Sequence, residues 1–434
     1  MSAAGASIGA SMRMAGRNCC DRTVGKIGVE TNVKFEFEPG VDEFRQEIRN
    51  FLKDNLPEDM KLRQMYAGTL FAATKEDELA WVKILGKKGW QVYSWPKELG
   101  GCDWSPLKQF VFEDEMVSGF APPLPFNLLH MIGPVIYRFG SPQLQERFLP
   151  KMRSGDEITW AQGFSEPGAG SDLASLSTRA ERVGDKYVIN GSKIWTSGAH
   201  EATWGFFLVK TDTSVKPQEG ISMILVDMNT PGISVRTIPQ INSDEQHLCQ
   251  VFLDNVEVPA ENLIGEPNKG WTYAKKLLEG ERTGSSYIFW NKREMRRLVN
   301  IAKAEELRGN PIAKDRAWRA RLARLQAELT ALEWSVLRVL AKEEFPKGIA
   351  PAASALKVRG SELQHAITEC QIDLLGEKAM RLYPTYSLPE KAGALWPEHV
   401  LGRTGTGLII RAATVFGGSK QVQRNIIAKA AFGL

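Results

Sequence analysis

Residues 206–227 read Phe206-Phe-Leu-Val-Lys-Thr-Asp-Thr-Ser-Val-Lys-Pro-Gln-Glu-Gly-Ile-Ser-Met-Ile-Leu-Val-Asp227. Two short apolar runs flank a stretch of Thr, Asp, Ser, Pro and Gly, the pattern of two strands and the turn between them. Further strand candidates lie on both sides. Residues 180–190 read as two short strands around Gly184-Asp185, and residues 233–238 and 251–258 continue the series. No helix-length amphipathic stretch interrupts them. Residues 156–266 therefore read as an all-β insert, a sandwich or a barrel.

Helical spacing flanks this insert. Phe44, Ile48, Phe51 and Leu52 recur at helical intervals after Pro39-Gly40. Thr74, with Asp77 three residues on, resembles a capping box opening a helix whose stripe is Leu79, Val82 and Leu85. Gly89-Trp90, Trp95-Pro96 and Gly100-Gly101 punctuate a loop. Downstream, Trp318, Leu322, Leu325, Leu329, Leu332, Val336 and Val339 alternate spacings of four and three, the seam of a packed bundle or of an oligomer contact. The expected fold is α+β and multidomain. It has an extension over 1–35, an N-terminal helical domain over 36–155, a middle β-sandwich or barrel domain over 156–266, and a C-terminal helical bundle domain over 267–434.

Composition excludes several classes. The 434 residues are 43% hydrophobic and 24% charged, as in soluble globular chains. No run of eighteen apolar residues is present, so no membrane span is expected. A net charge of +4 with interspersed signs leaves no nucleic-acid footprint. The five cysteines (19, 20, 102, 249, 370) form no CxxC, and the five histidines (130, 200, 247, 365, 399) form no HExxH. Free thiols in a reducing compartment, and no metal, are expected. Residues 1–26 carry Arg13, Arg17, Arg22 and Lys26 against Asp21 alone. They read as a disordered extension of a cytoplasmic protein, or as a transit peptide directing it to the mitochondrial matrix.

Three segments carry chemistry. In Gln162-Gly-Phe-Ser-Glu-Pro-Gly-Ala-Gly-Ser-Asp172, Pro167 stiffens a turn and Gly168 and Gly170 admit a ligand close to the backbone. Ser165 and Ser171 add hydroxyls that donate and accept. Such a loop suits a flat polar heterocycle or a phosphate, although as a bare pattern it is also an ordinary turn. In Asn190-Gly-Ser-Lys-Ile-Trp-Thr-Ser197, Trp195 followed by two hydroxyls could stack on a planar cofactor, or be a plain buried Trp. In Leu277-Leu-Glu-Gly-Glu-Arg-Thr283, helical placement puts Ala274, Leu277, Leu278, Glu281, Gly284, Ser285 and Ile288 on one face. Glu281 then lies among apolar neighbours, where burial raises a carboxyl towards the range of a general base. The alternative is a Glu281 paired with an arginine.

Together these segments resemble the acyl-CoA dehydrogenase family from about Phe35 to Leu434. The resemblance rests on Ser165-Glu-Pro-Gly-Ala-Gly-Ser-Asp172, on Asn190-Gly191 to Trp195, on the Gly89–Gly101 stretch, and on Phe416-Gly-Gly-Ser-Lys-Gln-Val-Gln-Arg-Asn-Ile-Ile427. It implies a bound FAD. Gln162, Phe164, Ser165, Gly170 and Ser171 would line the flavin ring, Ser171 also near substrate, with Trp195, Thr196 and Ser197 on the other side. Ser419 and Gln421 match cofactor-contacting positions. It implies α,β-dehydrogenation of an acyl-CoA, with electrons passing to an electron-transfer flavoprotein.

The chain departs from the family where the base is concerned. Many members carry Tyr-Glu-Gly-Thr near the C-terminus; here Phe416-Gly417-Gly418-Ser419 puts Gly417 at the glutamate position. Some branches place the base just before an arginine on the helix, which points to Glu281, with Arg282 orienting base or substrate. The Arg-x-x-Phe-Gly segment is not evident after Ser285, and Gly-Gly-x-Gly is reduced to Leu374-Leu-Gly-Glu377. The cofactor would then be held differently, or shared with a non-identical partner. Within the family the chain resembles large subunits of pimeloyl-CoA dehydrogenases, through Lys269-Gly-Trp-Thr-Tyr-Ala-Lys275, Glu281-Arg-Thr-Gly284 and the ending Gln423-Arg-Asn-Ile-Ile-Ala-Lys429. That branch implies a small-subunit partner, in a homo- or hetero-oligomer (dimer or tetramer), and a medium-chain or dicarboxylic substrate, while related branches take bulky acyl groups. Two rivals stand beside this reading. One is a non-catalytic, FAD-holding partner subunit; the other is a flavin-fold protein used only for binding.

Overall fold

The computed structural model describes residues 38–69, 73–156, 159–242, 247–280, 284–341, 349–383 and 396–434. The main compact unit runs from Gly40 to Leu434. Its first part is helical: α1 (Val41–Asn55), α2 (Glu58–Tyr66), α3 (Lys75–Gly86), α4 (Pro106–Ser118), α5 (Gly133–Phe139) and α6 (Pro142–Ser154). Phe44, Ile48, Phe51 and Leu52 are buried along α1, as their spacing requires. The Thr74 hydroxyl caps α3 by accepting from Asp77 N at 3.2 Å. The capping box is only half made, because the Asp77 carboxylate is taken by Arg63 at 2.7 and 2.8 Å. That pairing ties α3 to α2, a helix the spacing alone had not revealed.

The middle of the chain forms seven strands: β1 (Trp160–Gly163), β2 (Arg179–Val183), β3 (Lys186–Lys193), β4 (Trp204–Lys210), β5 (Ile221–Asp227), β6 (Ile233–Thr237) and β7 (Cys249–Pro259). They make one curled sheet in the order β1-β4-β2-β3-β7-β6, with β5 also paired to β4. The apolar runs of β4 and β5 do not alternate with polar residues because both faces are covered. Phe206, Leu208, Ile221, Met223 and Leu225 pack with the N-terminal helices. Phe207, Val209, Ile224 and Val226 enter a second core against β3 and β7.

The last part is helical again: α7 (Gly270–Gly280), α8 (Ile288–Ala304), α9 (Arg316–Leu340), α10 (Ile349–Leu375), α11 (Arg403–Ile409) and α12 (Lys420–Ile427). Leu325, Leu329, Leu332, Val336 and Val339 of α9 are buried, so the seam is bundle core over most of its length. Among the described residues, no helix is long and apolar enough to cross a membrane.

One local expectation changes. The face through Ala274, Leu277 and Ile288 does not lie on a single helix. α7 ends at Gly280, and Tyr287 adopts a left-handed backbone at φ 54 before α8 begins. The break has a packing cause: Ala274 and Leu277 belong to the core shared with the sheet, whereas Ile288 belongs to the bundle core.

Candidate cofactor and active site

The Gly/Ser loop leaves β1 and is clamped from below. Glu166 and Ala169 exchange backbone hydrogen bonds of 2.9 and 3.0 Å across Pro167-Gly168, which fixes the turn. The Glu166 carboxylate, 5% exposed, accepts from Lys193 Nζ at 2.7 Å, from Ser177 N and Oγ at 2.6 and 2.8 Å, and from Thr178 N at 2.9 Å. Lys193 Nζ also donates to Phe164 O at 3.3 Å, and Ile194 N to Ser165 O at 2.9 Å. Burial alone would raise the Glu166 carboxyl, but the Lys193 ammonium and these donors hold it down at about 2. Burial pushes Lys193 down to about 8, against the pull of Glu166. Sequence reading passed over this pair. The available signal was a lysine at an inward position of a strand.

The clamp brings the first two sequence-predicted segments together. Gln162 is half-buried on β1, and Phe164 packs edge-on against Phe206. Gly170 and Ser171 are exposed, and a side chain at Gly168 or Gly170 would meet open space. Beyond Ile194, Trp195 is not the buried residue the bland reading supposed. It is 56% exposed and holds a left-handed backbone at φ 60, a conformation costing about 1–3 kcal/mol. Thr196 is fully buried, its amide donating to Cys249 O at 2.9 Å, yet its hydroxyl has no hydrogen-bond partner among the described residues. Ser197 is half-buried beside it.

A buried hydroxyl without a partner costs about 1–3 kcal/mol. Thr196→Val is therefore expected to stabilise the ligand-free chain by about 1 kcal/mol while weakening cofactor retention. Denaturant midpoints with and without added cofactor test this.

Glu281 and Arg282 lie outside the described residues. α10 approaches Ser286 so closely that a Cβ on Gly360 would stand 1.9 Å from Ser286 O, and Asn291 Nδ2 donates to Gly360 O at 3.0 Å. Gly360→Ala must displace the segment that follows Glu281. A loss of about 1–3 kcal/mol and a fall in turnover are expected, read by thermal unfolding and steady-state rates. Sequence reading had no signal for Gly360 beyond a glycine inside a helix.

Lys357, 2% exposed on α10, organises the other candidate position of the base. Its Nζ donates to Tyr287 OH at 2.7 Å, to Ala413 O at 2.6 Å and to Phe416 O at 3.0 Å. A Cβ on Gly417, at φ 61, would lie 4.0 Å from that ammonium. The Phe416–Gly418 turn and Tyr287, close behind Glu281 in sequence, thus converge on one lysine. Ser419 caps α12 by accepting from Val422 N at 3.3 Å, and Gln421 is exposed. Among the described residues, no hydrogen bond joins either to the clamped loop.

A helix–sheet–helix chain that presents an exposed aromatic, an unsatisfied buried hydroxyl and a clamped Gly/Ser loop at one sheet end defines a protein built around a flat polar cofactor. The chain belongs to the acyl-CoA dehydrogenase family. The models of its N-terminal, middle and C-terminal domains match residues 39–156, 161–256 and 268–432. It is 33% identical to acyl-CoA dehydrogenase IpdE1 of Mycobacterium tuberculosis, over 91% of this chain and 98% of that one. Among solved structures it is similar to the Tcur3481-Tcur3483 steroid ACAD (30% identity, TM-score 0.78, covering 93% of this chain and 99% of that one). It is also similar to the ChsE4-ChsE5 complex from Mycobacterium tuberculosis (28%, TM-score 0.78, with the same coverage of each chain). The protein is accordingly a flavoprotein oxidoreductase that uses FAD, and the orphaned Thr196 hydroxyl fits a heterocycle carrying acceptor and donor nitrogens.

Proposed function

We propose that the protein removes the α and β hydrogens of an acyl-CoA thioester, with Glu281 as the base. Glu281 takes the α proton, and bound FAD supplies the acceptor for the hydride that leaves the β carbon. Hydrogen-bond donors to the thioester oxygen would steady the charge that develops there. Gln162, Phe164, Ser165, Gly170 and Ser171 would line one side of the flavin ring, and Trp195, Thr196 and Ser197 the other. Ser171 would also touch substrate, and Arg282 would orient the base or the thioester.

The observation that carries the assignment of the base is the Lys357 hub. It gathers the empty glutamate position at Gly417 and Tyr287, six residues after Glu281, around one ammonium, which supports the Glu281 segment as the source of the carboxylate that Gly417 lacks. The acyl group would be medium-chain or dicarboxylic, or bulky; the name of one similar structure, a steroid ACAD, supports the bulky class.

Partners belong to the same proposal. None of the residues of α12 is buried, and Ile426 and Phe432 are 38% and 73% exposed. A second subunit would cover this face, alike or different, and would bring Ser419 and Gln421 to a cofactor across the interface. An electron-transfer flavoprotein would take the electrons. The test is mass balance. The acyl-CoA should lose two hydrogen atoms for every two electrons delivered to the acceptor. Turnover that appears only when a separate base-bearing subunit is added would instead support a non-catalytic, FAD-holding role, which Gly417 favours.

A further inference from the structure

Three arginines and one glutamate meet in the interior between α2, α8, α10 and α11. Glu294 accepts from Arg297 at 2.6 Å, Arg293 Nε at 3.2 Å, Arg403 at 2.7 Å and Gln371 at 3.1 Å. Glu294, Arg293, Arg403 and Arg297 are 0%, 2%, 2% and 9% exposed. Among the described residues, three buried cations thus share one buried anion. Arg297, which lies over the Phe120 ring as well, and Arg403 also donate to backbone carbonyls, Arg297 to Met65 and Arg403 to Leu401 and Ala67. Arg293 does not. Beyond its one long bond to Glu294, its guanidinium has no acceptor among the described residues. It lies instead against the rings of Trp290 and Phe120, at 4.8 and 5.5 Å. Burial, and the nearby Arg297, push it down to about 9.

A buried cation that shares its counter-charge with two other cations is costly unless a further anion arrives. A planar fork held against aromatic rings with its end donors unmet is pre-organised for a bidentate carboxylate. We propose that Arg293 is the recognition site for a carboxylate carried on the far end of the acyl group.

The position suits that role. Arg293 follows Tyr287 by six residues along α8, about 9 Å up the helix from the ring whose hydroxyl meets the Lys357 hub. Phe120 belongs to the segment after α4 that runs to Asn127, whose amide donates to Trp160 O at the start of β1. The site is therefore flanked on one side by the helix leading from the base and on the other by the chain leading to the flavin loop. The inference rests on the acyl-CoA reading above.

The test is anaerobic titration of the FAD-loaded protein with octanoyl-CoA and with octanedioyl-CoA, which differ only at the far end. Octanedioyl-CoA should half-bleach the flavin at roughly 30-fold lower concentration. The ratio should fall to near unity in Arg293→Gln, and severalfold in Arg293→Lys, which retains the buried charge and serves if the glutamine variant does not fold. Equal half-bleaching concentrations in the unsubstituted protein, or a ratio untouched by either variant, would overturn the proposal. Bleaching by octanoyl-CoA alone overturns the carboxylate site and leaves the dehydrogenase reading standing. Bleaching by neither overturns the carboxylate site, and the dehydrogenase reading falls with it only if ring-bearing thioesters fail as well.

Discussion

Glu281→Gln is expected to slow flavin reduction by an acyl-CoA thioester by roughly 100- to 10,000-fold while leaving FAD bound. The C-terminal turn that bears the glutamate in many relatives reads Phe416-Gly417-Gly418 and holds no carboxylate. Glu281 follows directly on α7, whose Ala274 and Leu277 are buried at 2% and 4% exposure, so the preceding helix turns that face inward. The chain then runs through Ser286, wedged against Gly360, to Tyr287 on Lys357. Returning a carboxylate to Gly417 in the Glu281→Gln background is expected to recover little. The backbone there is left-handed, at φ 61, and the Lys357 ammonium would pair with the new group. Stopped-flow bleaching of the flavin band measures both variants. An unchanged rate in Glu281→Gln would sink the assignment.

The largest effect on stability is expected from Lys193→Met, at about 3–5 kcal/mol, accompanied by loss of FAD. Removing the ammonium leaves the Glu166 carboxylate, its side chain 4% exposed, without its counter-charge. It also frees Phe164 O, and so loosens the loop from Gln162 to Ser171. Glu166→Gln in addition to Lys193→Met should restore part of the stability, because no uncompensated charge then remains, but not the cofactor. The pair also has a pH signature. The folded-state pKa of Glu166 lies at about 2, below its ordinary value near 4.5. Its contribution is present above that ordinary value and is lost as pH falls through about 2. Denaturant titration followed by circular dichroism, with flavin absorbance in parallel, separates the two effects. Full FAD content in Lys193→Met would show that the clamp does not hold the site.

The architecture was legible because each layer has its own period. The α1 stripe, the α9 seam and the strand runs all fell where spacing put them. Legibility failed where the cause lies in tertiary contact. The break at Tyr287 follows from α7 and α8 serving different cores, which no local pattern encodes. α2 was missed because its nine residues bury only Met60, Gln64 and Tyr66, too few to show a helical period. In the site, Trp195 and Thr196 were found as residue types that suit a planar cofactor, but their state was not. Exposure of the tryptophan and the unmet hydroxyl belong to the way Ile194 is tied to Ser165. Glu166–Lys193, Lys357–Tyr287 and the close approach at Gly360 join residues 27 and 70 or more positions apart, and a lone lysine or glycine in one sequence does not name its distant partner.

The measurement that bears most directly on the whole account is the visible spectrum of the purified protein during anaerobic addition of acyl-CoA thioesters. The account predicts a yellow protein whose flavin band is bleached by at least one thioester without any other protein present. A protein that binds FAD yet is bleached by none of a panel spanning medium-chain, dicarboxylic and ring-bearing acyl groups would contradict it.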